Sequence, residues 1–346
     1  MRAQKPALPW FLAALTSAGA LVGCATAKPA PTAVKSQAAA PSGPVIPFAF
    51  APPLDHPWGL RVARHRTLPP PPGTDGQALH FDSEEDSRIT VTRPGHGDFV
   101  LTETLARHAE TKNGDPNPDA VMVALTGIPV RTQVSPEGLF RGAVGAAQTV
   151  RQIAQNWPGG GNAAFANLPP EVFTQELERD WRLGAEVYFT RPIHVGEPVY
   201  SLLSVSLPQL PGKYVAVAER FAAPVSRGDG TRQVTSTQEI FGKRDARWPA
   251  AHAALESLMK SLGVSDDDVL DRFQGQGGET VGVRSLQVYS ASYEGEGVFP
   301  LTTARGSFPL RFRVEEIAGA IDPPAIPINP NTTAAAAAAR SKLARR

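Results

Sequence analysis

The sequence predicts an α+β fold built on a strongly curved, mostly antiparallel β-sheet with a few packed helices. Three observations predict it. Short runs that alternate apolar and polar residues dominate the middle of the chain, as half-buried strands do. The links between them are brief and turn-like, Gly212-Lys213 and 227–230 (Arg-Gly-Asp-Gly) among them, which suits antiparallel neighbours. The helical stretches interrupt a meander of strands instead of alternating with single ones, and this argues against a parallel α/β sheet.

In chain order, 59–68 sets Leu60 and Val62 on one face and Arg61 on the other. Residues 88–93 and 98–105 read as two half-buried strands around a Pro94-Gly95-His96-Gly97 turn. Residues 120–125 and 128–134 follow as strands, and 135–138 (Ser-Pro-Glu-Gly) close a turn before Leu139-Phe140. Val144, Ala147, Val150, Ala154 and Trp157 are spaced by three and four, so 145–157 is predicted helical. Phe173, Leu177 and Trp181 repeat every fourth residue with acids between them, which predicts a second helix.

Strands are then expected at 185–191, 198–207, 214–221 and 232–241. Leu255, Leu258, Met259 and Leu262 form a third helical stripe ended by Gly263, and Ser265 caps a short fourth helix opened by Asp266, Asp267 and Asp268. A last set at 281–290, 297–303 and 307–314 completes the sheet. Two helical inserts are expected on it, with a hinge near 158–170.

The ends differ in kind. Arg2 and Lys5 precede an apolar run from Trp10 to Val22, and Gly23-Cys24 follows: a signal peptide in outline. As a helix this run falls well short of the roughly 30 Å hydrocarbon core, so it does not suit a spanning anchor. Leu21-Val22-Gly23-Cys24 resembles the lipobox of bacterial lipoproteins. That resemblance implies cleavage before Cys24, with diacylglycerol on its thiol and a fatty acyl chain such as palmitate on its new amino group. Leu21 matches the apolar position, Gly23 the small one and Cys24 the lipidated one; Val22 stands between. Cys24 is the only cysteine, and more than one lipid chain would hold the protein on a bilayer without spanning it. Ala25, where an aspartate would signal inner-membrane retention, implies by the same resemblance the outer membrane.

Residues 24–46 are rich in alanine and proline and predict a flexible tether; 47–320 form the globular body; 321–346 read as a low-complexity basic tail, frayed or disordered, ending in Arg-Ser-Lys-Leu-Ala-Arg-Arg. Eight lysines and arginines lie in the signal, tether and tail, so a chain of net charge +1 has an acidic body. Such a body has no electrostatic reason to seek nucleic acid.

No catalytic motif stands out. The seven histidines (His56, His65, His80, His96, His108, His194, His252) lack metal-ligand spacing. Gly159-Gly160-Gly161 has no Lys-Ser/Thr after it, and no Gly-x-Ser-x-Gly elbow occurs. Asp266–Asp268 suits a helix dipole, while Glu84-Glu85-Asp86, Glu294-Gly-Glu296 and Arg227-Gly-Asp229 read as solvated turns. Trp157, Phe165, Phe173 and Trp181 border the glycine-rich segment and either line an apolar pocket under the sheet or form ordinary core.

No metal, cofactor or catalytic residue is therefore expected. In general style the body resembles β-rich bacterial surface lipoproteins, which implies a non-enzymatic envelope protein that binds a ligand or supports an assembly. The expected partners are the membrane, reached through the lipid, and an envelope protein or apolar ligand. The alternatives are a carrier of lipid in a cavity under the sheet, and a hydrolase whose residues meet only in space.

Overall fold

The computed structural model describes residues 43–70, 76–205, 207, 212–303 and 306–327. The signal peptide, Cys24 with its lipobox, nearly all of the tether and the tail beyond 327 lie outside the described residues.

The first half of the body runs β1 (Val45–Ile46), β2 (Trp58–Leu68), β3 (Leu79–Thr92), β4 (Phe99–Lys112), β5 (Asp115–Pro116), α1 (Ala120–Leu125), β6 (Pro129–Val134) and β7 (Phe140–Ala143). A helical connection follows: α2 (Ala146–Gln155), α3 (Ala163–Ala166), α4 (Pro170–Gly184) and a 3-10 turn at Glu186–Tyr188. The second half runs β8 (Ile193–His194), β9 (Pro198–Val205), β10 (Lys213–Phe221), β11 (Val225–Ser226), β12 (Arg232–Phe241), α5 (Trp248–Leu262), a 3-10 turn at Asp266–Asp268, β13 (Arg272–Gly282), β14 (Val288–Thr303) and β15 (Gly306–Ile321).

One 13-stranded sheet carries the molecule, in the order β7-β6-β4-β3-β2-β15-β14-β13-β12-β10-β9, with β5 on β4 and β11 on β12. Its named pairs are antiparallel throughout. It consists of two meanders joined where β15 pairs β2, Ala318 opposite Val62. β1 pairs separately with β8.

Two parts of the expected fold are corrected. The protein is mostly β, 46% strand against 21% helix, and not α+β. The expected strong curvature is also absent, for the sheet neither closes nor curls strongly. Much of the excess strand lies in segments read as turns: Glu84–Asp86 sit mid-strand in β3 and Glu294–Glu296 mid-strand in β14. Residues 274–278, unassigned from sequence, lie in the middle of β13, where glycine leaves room for the Phe273 ring: a Cβ on Gly275 would stand 2.9 Å from it and one on Gly295 of β14 2.4 Å.

Residues 120–125 and 186–188, expected as strands, are helical. In α1 the Asp119 carboxylate accepts from the Val121 and Met122 amides, while Val121, Met122, Ala124 and Leu125 are buried and Val123 faces out. That is the periodicity of a helix capped at its start. Asp119→Ala is expected to cost about 1 kcal/mol, seen as a lower urea midpoint.

The core divides across the sheet. The helical connection covers one face: Trp181 of α4 packs edge-on against Phe50 at 5.6 Å and donates from Nε1 to the Gly138 carbonyl at 2.9 Å. α4 also lies against both end strands, β7 and β9. α5 covers the opposite face, setting Ala251, Leu255 and Met259 on Tyr214, Ala216, Ala218 and Phe241. Consequently β10 is buried on both sides, and almost every residue from Tyr214 to Phe221 is inside.

Candidate functional site

Strand phase brings two glutamates onto an apolar face. In β10, Val215, Val217, Glu219 and Phe221 point the same way; in β12, Val234, Ser236, Gln238 and Ile240 do; in β13, Glu279 shares its face with Val281. The register sets Glu219 opposite Gln238 and Ser236 opposite Glu279. The four polar side chains therefore converge in the interior.

Tyr188, from the 3-10 turn after α4, closes over them. Its hydroxyl donates to Glu279 Oε1 at 2.8 Å and stands 3.4 Å from Glu219 Oε2. Glu219 Oε1 accepts from Ser236 Oγ at 2.5 Å and from Gln238 Nε2 at 3.0 Å. Burial raises both carboxyls, and the charge of Glu219 adds to it at Glu279, which is pushed up to about 8. The donors around Glu219 pull in the other direction. Glu279 therefore keeps its proton at neutral pH, and the two carboxyls titrate as a pair. Burial and then the two glutamates keep the Tyr188 phenol neutral.

Beside the pair lies a cavity of about 100 Å³. Leu203, Val217, Val288, Ala291 and Ala318 give it aliphatic walls, and Tyr293 and Glu316 join the glutamates in its polar lining. Glu316 leads to a second buried cluster. Arg64 bridges Glu316 and Glu85, each at 2.7 Å. Burial alone would raise Glu85, but Arg64 and His108 outweigh it and hold the carboxyl down at about 2. Glu103, buried without such a cation, is pushed up to about 7. Arg64 Nη2, Ser83 Oγ, Glu103 Oε2 and both ring nitrogens of His108 have no hydrogen-bond partner among the described residues.

None of these residues was singled out from sequence except Glu85, His108 and the acids once read as turns. His108 alone of the histidines has its side chain enclosed, between Glu85 (3.6 Å) and Glu110 (3.8 Å). His65 meets Asp82 and His252 meets Asp266 near the surface. Of the four aromatics, Phe165 and Phe173 belong to the core beneath α2, with Trp157 tilted against Phe165 at 5.2 Å. Trp181 belongs to the larger core on the Phe50 side, and none of the four lines the cavity. Ser265 and Asp268 form a capping box, and Asp229 accepts from Thr231 in its turn. Among the described residues no three His, Cys, Asp or Glu are arranged to hold a metal ion, and no helix is long and apolar enough to cross a membrane.

Two wider depressions lie on the surface. One, of about 450 Å³, has Lys213, Lys243, Arg244 and Arg272 around Phe308 and Pro309. The other, of about 1000 Å³, crosses β12 to β15 and presents Thr235, Thr237, Thr280, Ser290 and Ser292.

No family model matches this chain, and no curated protein does. Among solved structures it is similar to lipovitellin, from a study of lipid–protein interactions, at 10% identity and TM-score 0.34. That match covers 79% of this chain, which spans about a quarter (26%) of the lipovitellin chain. It is also similar to DynF of the dynemicin pathway of Micromonospora chersina, at 10% identity and TM-score 0.18, over 84% of this chain and 92% of that one. An outer-membrane channel of Pseudomonas putida matches at 8% identity and TM-score 0.16, over 79% and 97%. Likenesses this slight assign neither a family nor an activity.

Proposed function

We propose that this chain is an envelope lipoprotein, held on a bilayer, the outer membrane by its Ala25, through lipid on Cys24, and that its body is a non-enzymatic ligand-binding protein. The anchor rests on Leu21-Val22-Gly23-Cys24 behind a short apolar run, followed by an alanine- and proline-rich stretch suited to a leash.

The observation that carries the binding half is the enclosed Glu219–Glu279 pair beside its own cavity. Two carboxyls in an apolar interior are expensive, and replacing such groups with packed hydrophobic residues commonly leaves a protein as stable or more so. A fold that keeps them, each supplied with donors, is reasonably read as keeping them for a ligand. The space is too small for a polymer substrate: glycosidase carboxyls stand roughly 5–9 Å apart across a sugar, whereas these two meet at one Tyr188 hydroxyl. It is likewise far short of the roughly 300–1,000 Å³ of drug-sized pockets, so a lipid carrier finds no enclosed chamber in it.

The anchor is tested by mass spectrometry and fractionation of the protein from its native membrane. The expected polypeptide begins at Cys24 with added acyl mass, and Cys24→Ser moves to the soluble fraction. A wild-type chain carrying a bare thiol in the aqueous phase overturns the proposal.

A further inference from the structure

We infer that the cavity beneath β9–β15 is a binding site for a small alkylammonium cation, whose charged head takes the place of the proton shared by Glu219 and Glu279. The inference rests on the binding reading above and names its ligand class.

Size comes first. A cavity of about 150 Å³ accommodates benzene, so this one, at about 100 Å³, suits roughly four or five heavy atoms. Shape and polarity come next. Leu203, Val217, Val288 and Ala318 offer a short alkyl chain an apolar wall, and the carboxyl pair stands at the polar end.

Charge decides the class. The titratable groups facing the pair are Tyr188 from the turn after α4, Tyr293 from β14 and Glu316 from β15; β9 presents Ser201 and no titratable group. Glu316 is already bound by Arg64, which it shares with Glu85. No basic side chain lines the cavity among the described residues. The site therefore sets two carboxyls together with no basic side chain, so that only protons or an incoming cation can offset their charge. An ammonium has the three donors to meet both carboxylates and a tyrosine oxygen, and a quaternary or metal cation has none.

Binding is an exchange. The ammonium enters with its charge, the proton on Glu279 leaves for solvent, and no covalent bond forms or breaks. Affinity should therefore rise about tenfold per pH unit up to the point near 8 where Glu279 would lose its proton unaided.

The test is titration calorimetry of the full chain in mild detergent with propylammonium chloride, using propanol as neutral isostere, in buffers of different ionisation heat between pH 6 and 8. Saturable one-to-one uptake, release of about one proton at pH 6 falling toward half a proton at pH 8, and at least tenfold weaker propanol binding are expected. Glu279→Gln should weaken uptake more than tenfold and abolish proton release. Ala291→Leu, which fills the space and leaves the pair intact, should abolish uptake if the site is where we place it. Absence of propylammonium uptake by folded protein at pH 8, equal binding of propanol, or undiminished uptake by Ala291→Leu would each overturn the inference. Acyl mass on Cys24 is read in the same sample, so a lipidated chain that ignores the amine sinks this inference alone, and an unlipidated chain that takes it up sinks the anchor alone.

Discussion

Arg64→Met is expected to destabilise the body by about 3–5 kcal/mol, the cost of removing one partner from a buried ion pair. The reason is geometric. Glu85 and Glu316 approach the guanidinium from β3 and β15 on either side of β2, and both side chains are almost wholly enclosed. Without Arg64 each must be desolvated unpaired or take up a proton. A large drop in urea midpoint checks this, and Glu85→Gln with Glu316→Gln in the same background should restore much of it. A stable single variant would mean that water reaches the cluster.

Stability is expected to fall as pH rises from about 5 to 9. The ordinary carboxyl value of 4.5 applies in the unfolded chain, while Glu279 in the fold stands at about 8 and Glu103 at about 7. Between those limits the folded protein holds protons that the unfolded chain has released, so each pH unit removes up to about 1.4 kcal/mol per such group. Glu110 and Asp180, also raised by burial, act in the same direction. Glu85 runs the other way: its value near 2 lies below 4.5, so its contribution is complete above 4.5 and is lost on acidification toward 2. The two trends together put the maximum near pH 5. Urea midpoints at pH 5, 7 and 9 read the slope directly, and Glu103→Gln and Glu279→Gln should flatten it. A midpoint that climbs from 5 to 9 would show these carboxyls ionised in the fold.

Strands β2, β10 and β12 and the three amphipathic helices were legible in the sequence because one burial pattern serves each, whereas only about half of β3, β4, β14 and β15 was read, and the expected strand 281–290 straddles the turn between β13 and β14. β10 and β12 lie within a residue or two of their expected limits, as do the stripes of α2, α4 and α5. What failed did so for identifiable reasons. Residues 120–125 and 186–188 are apolar runs too short for period to separate strand from helix; Asp119 and Gly127 flanking the first were the cue. Glu84-Glu85-Asp86 looked solvated because three acids in a row suit a turn, whereas β3 sends Glu85 inward to Arg64 and Asp86 outward to Arg61. The site was half visible. In Val215, Val217, Glu219, Phe221 the acid falls in the apolar phase of an alternating strand, as Glu316 does between Val314 and Ala318. Their pairing across β10, β12 and β13 depends on register, which no single segment carries.

The strand that unites the two meanders, β15 at Gly306–Ile321, comes last in sequence among the described strands. A ribosome or translocation channel delivering this chain from its amino end releases β2 long before the partner it must meet, and Val62 waits more than two hundred residues for Ala318. Contacts so distant in sequence make for slow assembly, with open strand edges in the meantime. Final consolidation is thereby postponed until β15 has emerged. A chain stopped short of Gly306 would lack the strand that joins the two meanders and keep only the packing of α4 between β7 and β9, so termination before Gly306 should be as damaging as a deletion in the middle.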